Sequence, residues 1–179
     1  DLVVHNCIDT SGAMFVEKMI SSDWVFSCIV RDVPHKNLQG TVAFCELMNK
    51  LTNKKIELIV PQGTNLESNI VKITRLESSS DECRNKAYQR SHFNLLFSLD
   101  HSHIGFYEGF GLTVLEAAKF GTPSLVMSTG GLPEAVHHLK TGWVFDSLDE
   151  EAVKVFLGQM TNSHYQLLAN ESYKHTLNS

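Results

Sequence analysis

Two carboxylates, Glu108 and Glu116, are separated by seven residues and bracket a glycine-containing segment that enters a helix. The segment reads Glu108-Gly109-Phe110-Gly111-Leu112-Thr113-Val114-Leu115-Glu116. Glycine lets a ligand approach the backbone closely, and the first N–H groups of a helix are free to bind an anion. If the helix begins near Gly111, Glu116 lies just past its first turn, where a carboxylate can accept hydrogen bonds from a ribose diol. The alternative is a solvent-exposed carboxylate on a helix face, and the pattern alone leaves both open.

Two cations suit a phosphate. Arg31 and Lys36 lie five positions apart, after an apolar segment. Arginine presents a planar fork and lysine a point charge, and both bind phosphate oxygens. The alternative is a pair of exposed cations. The segment Gly130-Gly131-Leu132-Pro133-Glu134 is a second glycine loop that enters a helix, with a simple tight turn as its alternative.

Other chemistry has weaker support. His101 and His103 lack a nearby cysteine or acidic cluster at metal-ligand spacing, so the sequence predicts no metal site. No Ser-His-Asp or Cys-His arrangement stands out. The four cysteines are widely scattered, which is typical of free thiols in a reducing compartment: Cys7, Cys28, Cys45 and Cys83.

Alternating strands and helices must position these residues. Apolar runs predict strands at 24–30, 56–60, 69–74, 93–99, 124–127 and 141–145. Helical spacing and caps predict helices at 37–51, from a Ser79 cap to about Arg90, at 112–120, from 130, at 149–160 and from 163. Single helices between strands imply an α/β fold with a Rossmann-like, doubly wound parallel sheet flanked by helices. Ligands of such sheets bind beyond the carboxyl ends of the strands, where the loops hold the residues above.

Composition narrows the class of protein. The chain has 179 residues, of which 42% are hydrophobic and 20% charged, as in a soluble globular domain. A net charge of −5 disfavours nucleic acid as a partner. Neither a signal peptide nor a transmembrane segment is visible, so we expect a cytoplasmic protein. Residues 1–23 show no clear periodic pattern of apolar residues and are predicted to be an interdomain connector. Residues 24–179 are predicted to form a single domain.

Together these segments resemble the C-terminal, donor-binding domain of retaining GT-B glycosyltransferases, especially family 4, which includes bacterial hexosyl- and mannosyltransferases. The E-x7-E motif from Glu108 to Glu116 is one of the segments that together carry the resemblance. The other matching segments are Gly121-Thr122-Pro123, 130–134 with Thr141-Gly142, Arg31 with Lys36, and the linker-like His5-Asn6-Cys7-Ile8-Asp9. Val30 and Cys7 replace glycines usual in the family, and the loop 101–107 is a few residues longer than usual.

The resemblance implies a role for each matching residue. Glu108 would lie against the donor hexose near the reacting centre, and Glu116 would bind the ribose hydroxyls. Arg31 and Lys36 would neutralise the departing diphosphate. The backbone of the glycine loop and helix start would contact the sugar and phosphates, through Gly109, Phe110, Gly111, Leu112 and Thr113. The base would lie near residues 74–76. No metal or other cofactor is implied, and the substrate is a UDP-, GDP- or ADP-linked sugar.

The resemblance also implies a larger enzyme. Its N-terminal domain, absent here, would bind an acceptor glycan or glycolipid, and the isolated chain would have little or no turnover. The parent would transfer a hexose to a hydroxyl with retention, in bacterial surface polysaccharide or glycolipid synthesis, in the cytoplasm or at the inner face of the membrane. The alternatives are a non-catalytic nucleotide-binding module of GT-B shape, or a GT-B-shaped epimerase or phosphorylase.

Overall fold

The structure, a computed structural model, describes residues 8–20, 23–100 and 108–178. Its strands are β1 (Asp23–Ser27), β2 (Lys55–Val60), β3 (Lys72–Arg75), β4 (Phe93–Leu96), β5 (Ser124–Met127) and β6 (Gly142–Phe145). Its α-helices are α1 (Leu38–Thr52), α2 (Asp81–Arg90), α3 (Leu112–Ala118), α4 (Leu132–Ala135), α5 (Glu150–Gln159) and α6 (Asn162–Leu177). A 3-10 turn at Pro34–Lys36 precedes α1.

The described strands form one parallel sheet in the order β3-β2-β1-β4-β5-β6. The predicted α/β, Rossmann-like sheet is therefore confirmed. The chain winds outward from β1 to β3, returns to β4 beside β1, and winds outward again to β6. The order therefore reverses between β1 and β4, and the loops that leave these two strands diverge to opposite sides. Such a reversal opens a crevice at the carboxyl edge of the sheet.

Both faces of the central strands are buried, as expected for parallel strands covered by helices, whereas the edge strand β3 is only partly covered. Side chains of the first strand alternate between two apolar clusters: Trp24 and Phe26 belong to the larger one, and Val25 packs against the smaller one. Helices α1 and α5 contribute to the larger cluster, which is rich in edge-to-face aromatic pairs. Tyr88 of α2 and Ala117 of α3 belong to the smaller cluster.

Three details differ from the sequence prediction. The first and fourth strands end at Ser27 and Leu96, although the apolar runs predicted strands to 30 and 99. Residues 28–30, 97 and 98 remain buried, whereas Leu99 is exposed. Their backbone leaves the ladder because β1 and β4 pair only over a short register before they diverge. The third strand covers 72–75 rather than 69–74.

The cap of α2 is also one residue later than predicted. Ser80, not Ser79, caps the helix and accepts a hydrogen bond from the Cys83 amide at 3.3 Å. This shift leaves Glu82 at the second helical position, where it pairs with Lys86 instead of closing a capping box.

The segment 8–20 contains neither helix nor strand and runs along the carboxyl end of α3. The amides of Met14 and Val16 donate to the carbonyls of Lys119 and Phe120, at 3.0 and 3.3 Å. The Lys18 ammonium donates to Thr122 Oγ1 at 2.7 Å. That residues 1–23 connect two domains stays a prediction, and the linker-like residues 5–7 lie outside the described ranges.

The outer edge of β6 is occupied by the chain itself. The Leu139 amide donates to the Gly142 carbonyl at 2.9 Å, and the Val144 amide donates to His138 Nδ1 at 3.0 Å. Across the described ranges, no helix has both the length and the apolar character needed to cross a bilayer. Cys28, Cys45 and Cys83 are free thiols, and burial raises the pKa of Cys28 to about 12.

Candidate functional site

A cleft of about 430 Å³ lies at the reversal of strand order, between the loops that follow β1 and β4. The two loops are joined by a hydrogen bond from the Leu99 amide to the His35 carbonyl at 2.8 Å. The cleft is lined by Ile29, Val30, Arg31, Lys36, Leu96, Glu108, Gly109, Phe110, Gly111, Leu112 and Thr113. It therefore contains every residue predicted for the donor site except Glu116.

A nearly buried ion pair forms the polar floor of this cleft. Lys36 donates to Glu108 Oε2, and the two side chains are only 13% and 9% exposed. Ser98 Oγ donates to the same oxygen at 2.8 Å. The Thr129 hydroxyl in turn donates to the Ser98 carbonyl at 2.8 Å. Three donors from separate loops therefore hold one carboxylate in place, directly or through Ser98.

Ser98 was missed by the sequence analysis. It lies in the run Phe97-Ser98-Leu99, at the carboxyl end of the buried strand predicted at 93–99. A single hydroxyl in that apolar run, just before a loop, is the only signal that could have marked it. Its side chain is fully buried, so it needs the partner that Glu108 provides.

The two glycine loops touch through their backbones. The Gly131 amide donates to the Glu108 carbonyl at 3.2 Å. A Cβ atom at Gly131 would lie 1.9 Å from the Gly109 carbonyl oxygen, and one at Gly130 would lie 2.2 Å from that of Glu108. Side chains at either position would therefore push the Glu108 loop out of place. The second glycine loop is more than a tight turn, because it supports the first.

The start of α3 faces the same cleft. Gly111 has φ 72°, and a Cβ atom there would lie 2.7 Å from Leu132 Cδ2, so this position requires glycine. The first helical hydrogen bond runs from the Val114 amide to the Gly111 carbonyl at 2.8 Å. The amides of Leu112 and Thr113 precede that bond and carry the positive end of the peptide dipoles.

A second cavity of about 450 Å³ adjoins the cleft. Ile29, Val30 and Arg31 line both spaces, so the two lie side by side. The second cavity is further lined by Asp32, Pro61, Gln62, Gly63, Thr64, Leu76, Ser79 and Arg84. The Arg31 side chain is exposed where the two cavities meet, and its guanidinium makes no hydrogen bond or ion pair with any described residue. Its guanidinium is available to a ligand that spans both cavities.

Glu116 lines neither of the two cavities. Its carboxylate oxygen Oε2 accepts a hydrogen bond from the Tyr88 hydroxyl at 3.1 Å. Thr113, one helical turn before it, lines the cleft. Tyr88 shares its apolar cluster with Ile29 and Leu76, which line the second cavity. Burial, and next the negative charge of Glu116, raise the pKa of Tyr88 well above its usual range.

Other predicted residues lie elsewhere. Arg75 donates to the carbonyls of Thr64 and Leu66, at 2.9 and 2.7 Å, and so holds a loop rather than facing the cavity. Leu76 is the member of the segment 74–76 that lines the second cavity. His101 and His103 lie outside the described residues. Within the described ranges, no three histidine, cysteine or carboxylate side chains are grouped as metal ligands would be.

Comparison with known proteins agrees with this architecture. The chain belongs to the family Glycosyl transferases group 1, whose family model matches residues 14–163. A D-inositol 3-phosphate glycosyltransferase of Corynebacterium urealyticum is 39% identical over 66 residues, which are 37% of this chain and 16% of that protein.

Solved structures share the fold. The C-terminal domain of the group 1 glycosyl transferase LpcC from Francisella tularensis matches with a TM-score of 0.68 at 16% identity, over 96% of this chain and 97% of that one. HepE from Anabaena, crystallised with UDP-glucose, matches with a TM-score of 0.66 at 16% identity, over 87% of this chain and 44% of its own. The fold is that of a GT-B C-terminal domain.

Proposed function

We propose that this chain is the donor-binding domain of a retaining glycosyltransferase of family 4, which transfers a hexose from a nucleotide sugar to a hydroxyl acceptor. One observation carries the proposal. The Lys36–Glu108 pair, Arg31 and the start of α3 converge on a single cleft at the reversal of strand order. A cleft of this size, with few polar groups and a second cavity beside it, suits a sugar diphosphate joined to a nucleoside.

The charges of the cleft suit the departure of a nucleoside diphosphate. The bond from the anomeric carbon to the diphosphate oxygen breaks, and the acceptor hydroxyl oxygen forms a new bond to that carbon. The hydroxyl proton passes to the diphosphate. Negative charge therefore grows on the diphosphate, where Arg31, Lys36 and the α3 amides can stabilise it. These cations supply the charge that a metal ion supplies elsewhere, and the proposed reaction needs no metal.

Glu108 is the proposed catalytic residue. Its fixed carboxylate lies on the floor of the cleft beside Gly109, whose α-carbon faces open space. A sugar seated there would contact both. The nucleoside would occupy the second cavity, with Glu116 accepting hydrogen bonds from the ribose. The base would lie against Leu76, near residues 74–76 as the resemblance implies.

The complete reaction is proposed for a larger protein. The chain covers less than half of HepE, and its match covers about a sixth of the inositol-phosphate enzyme. A facing domain would supply the acceptor site and exclude water, so the isolated chain would bind donor but turn over little. The acceptor would be a glycan or glycolipid of bacterial surface polysaccharide synthesis, and the parent would work in the cytoplasm or at the inner face of the membrane.

A nucleotide titration tests the binding half of this proposal. The chain would be titrated with UDP, GDP, ADP and CDP while thermal unfolding is recorded. Saturation at 100 times Kd adds about 2.7 kcal/mol, or roughly 5–10 °C in Tm for a domain of this size. Glu116→Ala should abolish most of the shift, whereas Glu151→Ala, which removes an exposed carboxylate from α5, should preserve it.

The catalytic half needs the full-length parent. Glu108→Gln in that protein should lower kcat much more than nucleotide affinity, and a normal rate would exclude Glu108 from the reacting centre. The product distinguishes the competing functions: a new glycosidic bond indicates transfer, and an epimerised nucleotide sugar indicates an epimerase. Binding without any product from the parent would favour a non-catalytic module.

A further inference from the structure

The Tyr88 hydroxyl is a buried polar group that contacts a residue of the proposed donor site. Tyr88 is fully buried in the apolar cluster between the sheet and helices α2 and α3. Its hydroxyl donates to Glu116 Oε2 at 3.1 Å, across the interface between the two helices. A buried hydroxyl requires an acceptor, and a carboxylate is the strongest that a protein offers.

Tyr88 is itself fixed from the backbone side. The Thr122 hydroxyl donates to the Tyr88 carbonyl at 2.7 Å, and Thr122 is held by Lys18. The ring belongs to a cluster of buried apolar side chains, and close packing of such a cluster restricts its rotation. The hydroxyl is therefore a stationary donor, and it stays protonated because burial raises its pKa.

We propose that Tyr88 is a positioning residue that sets the geometry of ribose recognition. This inference rests on the proposed function, in which Glu116 binds the ribose hydroxyls. A carboxylate accepts hydrogen bonds on both oxygens at about four positions, so the bond from Tyr88 leaves capacity for a diol. By holding Oε2, Tyr88 selects one rotamer of Glu116 in advance of ligand binding. The Glu116 side chain is then already ordered before the ligand binds, so binding does not reduce its conformational entropy further.

A preorganised Glu116 carboxylate should increase the selectivity for ribose over 2′-deoxyribose as well as the affinity for nucleotides. Both ribose hydroxyls can donate to a carboxylate held in one orientation, and a 2′-deoxyribose offers only one. Loss of the Tyr88 hydroxyl should therefore lower the affinity for ribonucleotides more than the affinity for deoxyribonucleotides. A purely structural tyrosine would change both affinities equally, or only the stability of the fold.

The test compares Kd values of UDP, GDP, ADP and CDP with those of their 2′-deoxy counterparts by calorimetry. Tyr88→Phe keeps the ring and its packing and removes only the hydroxyl. We expect this substitution to raise the Kd of the preferred ribonucleotide about threefold to tenfold, and the Kd of its deoxy counterpart less than about twofold. The matched control is Tyr165→Phe, since Tyr165 is equally buried in α6 and its hydroxyl has no partner among the described residues. It should leave the ribose preference unchanged.

Glu116→Gln and the double variant complete the experiment. Because Tyr88 is proposed to act only through Glu116, the two substitutions should be non-additive in the ribose preference. Additive effects, or a preference unchanged in Tyr88→Phe, would overturn the role of Tyr88 while nucleotide binding stands. The role of Tyr88 would likewise be overturned if the wild-type protein bound ribonucleotides and deoxyribonucleotides with equal affinity. Wild-type protein that binds none of the nucleotides would overturn the proposed function, and this inference with it.

Discussion

Replacing Gly131 with alanine would test whether the contact between the two glycine loops maintains the cleft. The new Cβ atom would lie 1.9 Å from the Gly109 carbonyl oxygen and 3.0 Å from its carbon. Ordinary van der Waals contact begins at 3.4 Å, so the two loops must separate by about 1.5 Å. Both partners are backbone, so no side chain can rotate away to relieve the clash.

The expected cost follows from this geometry. Overpacking typically destabilises a protein by about 1–3 kcal/mol, and the rigid partners place Gly131→Ala near 3 kcal/mol. For a domain of this size, that corresponds to a decrease in Tm of roughly 6–12 °C. Because the displaced segment leads into the start of α3, whose amides are proposed to bind the diphosphate, the affinity for nucleoside diphosphates should fall as well.

Gly109→Ala is the matched control. It places a methyl group on the opposing loop, where no atom lies within 4 Å, so Tm should change by less than about 2 °C. Thermal unfolding of both variants gives the comparison, and nucleotide titration is applied to Gly131→Ala alone because Gly109 lies in the proposed donor site. Equal Tm values for Gly131→Ala and wild type, or equal losses of Tm in the two variants, would refute the claim that these loops support each other.

Three other substitutions probe separate features. Ser98→Ala removes a donor to the buried Glu108 carboxylate and should cost about 1.5–3 kcal/mol of unfolding free energy in urea, whereas an unchanged midpoint would show that the bond contributes nothing. Burial lowers the pKa of Lys18 to about 7, so between pH 7 and 10.5 the unfolded chain binds more protons than the folded chain. The unfolding free energy contributed by this residue should therefore rise with pH, by at most about 1.4 kcal/mol per pH unit. Lys18→Met should remove that rise, which is measured as the difference between the variant and wild type. Gly158→Ala in α5 meets no atom within 4 Å and should raise stability by about 0.5–1 kcal/mol, and a lower Tm would contradict the helix assignment there.

The sequence predicted the order and type of the elements because each carries its own periodicity. Apolar runs marked the buried parallel strands, and the spacing of Glu108 and Glu116 predicted that the second carboxylate follows the first turn of α3. The predicted convergence of Arg31, Lys36 and Glu108 followed from a general property of parallel sheets, whose carboxyl ends share one edge.

What the sequence could not show depends on contacts between distant segments. Tyr88 on a helix is indistinguishable from an ordinary core aromatic until α3 is placed opposite it. The backbone contact of Gly131 with Gly109 likewise has no local signature, because each glycine alone is compatible with a simple turn. Strand ends were overestimated for a related reason: burial continues past Leu96, but pairing stops where neighbouring strands diverge.

The bond between His138 and Val144 has a consequence for self-association. An unpaired edge strand is a template on which another chain can add a strand, and β6 is an edge rich in apolar residues. The outward-facing Val144 amide already donates to His138, and the outward-facing Gly142 carbonyl already accepts from Leu139. The edge therefore resists aggregation. The imidazole accepts this bond only when neutral, and partial burial lowers the pKa of His138. Acidification converts that ring into a donor and releases the Val144 amide, so mildly acidic solutions are where this domain should first form oligomers.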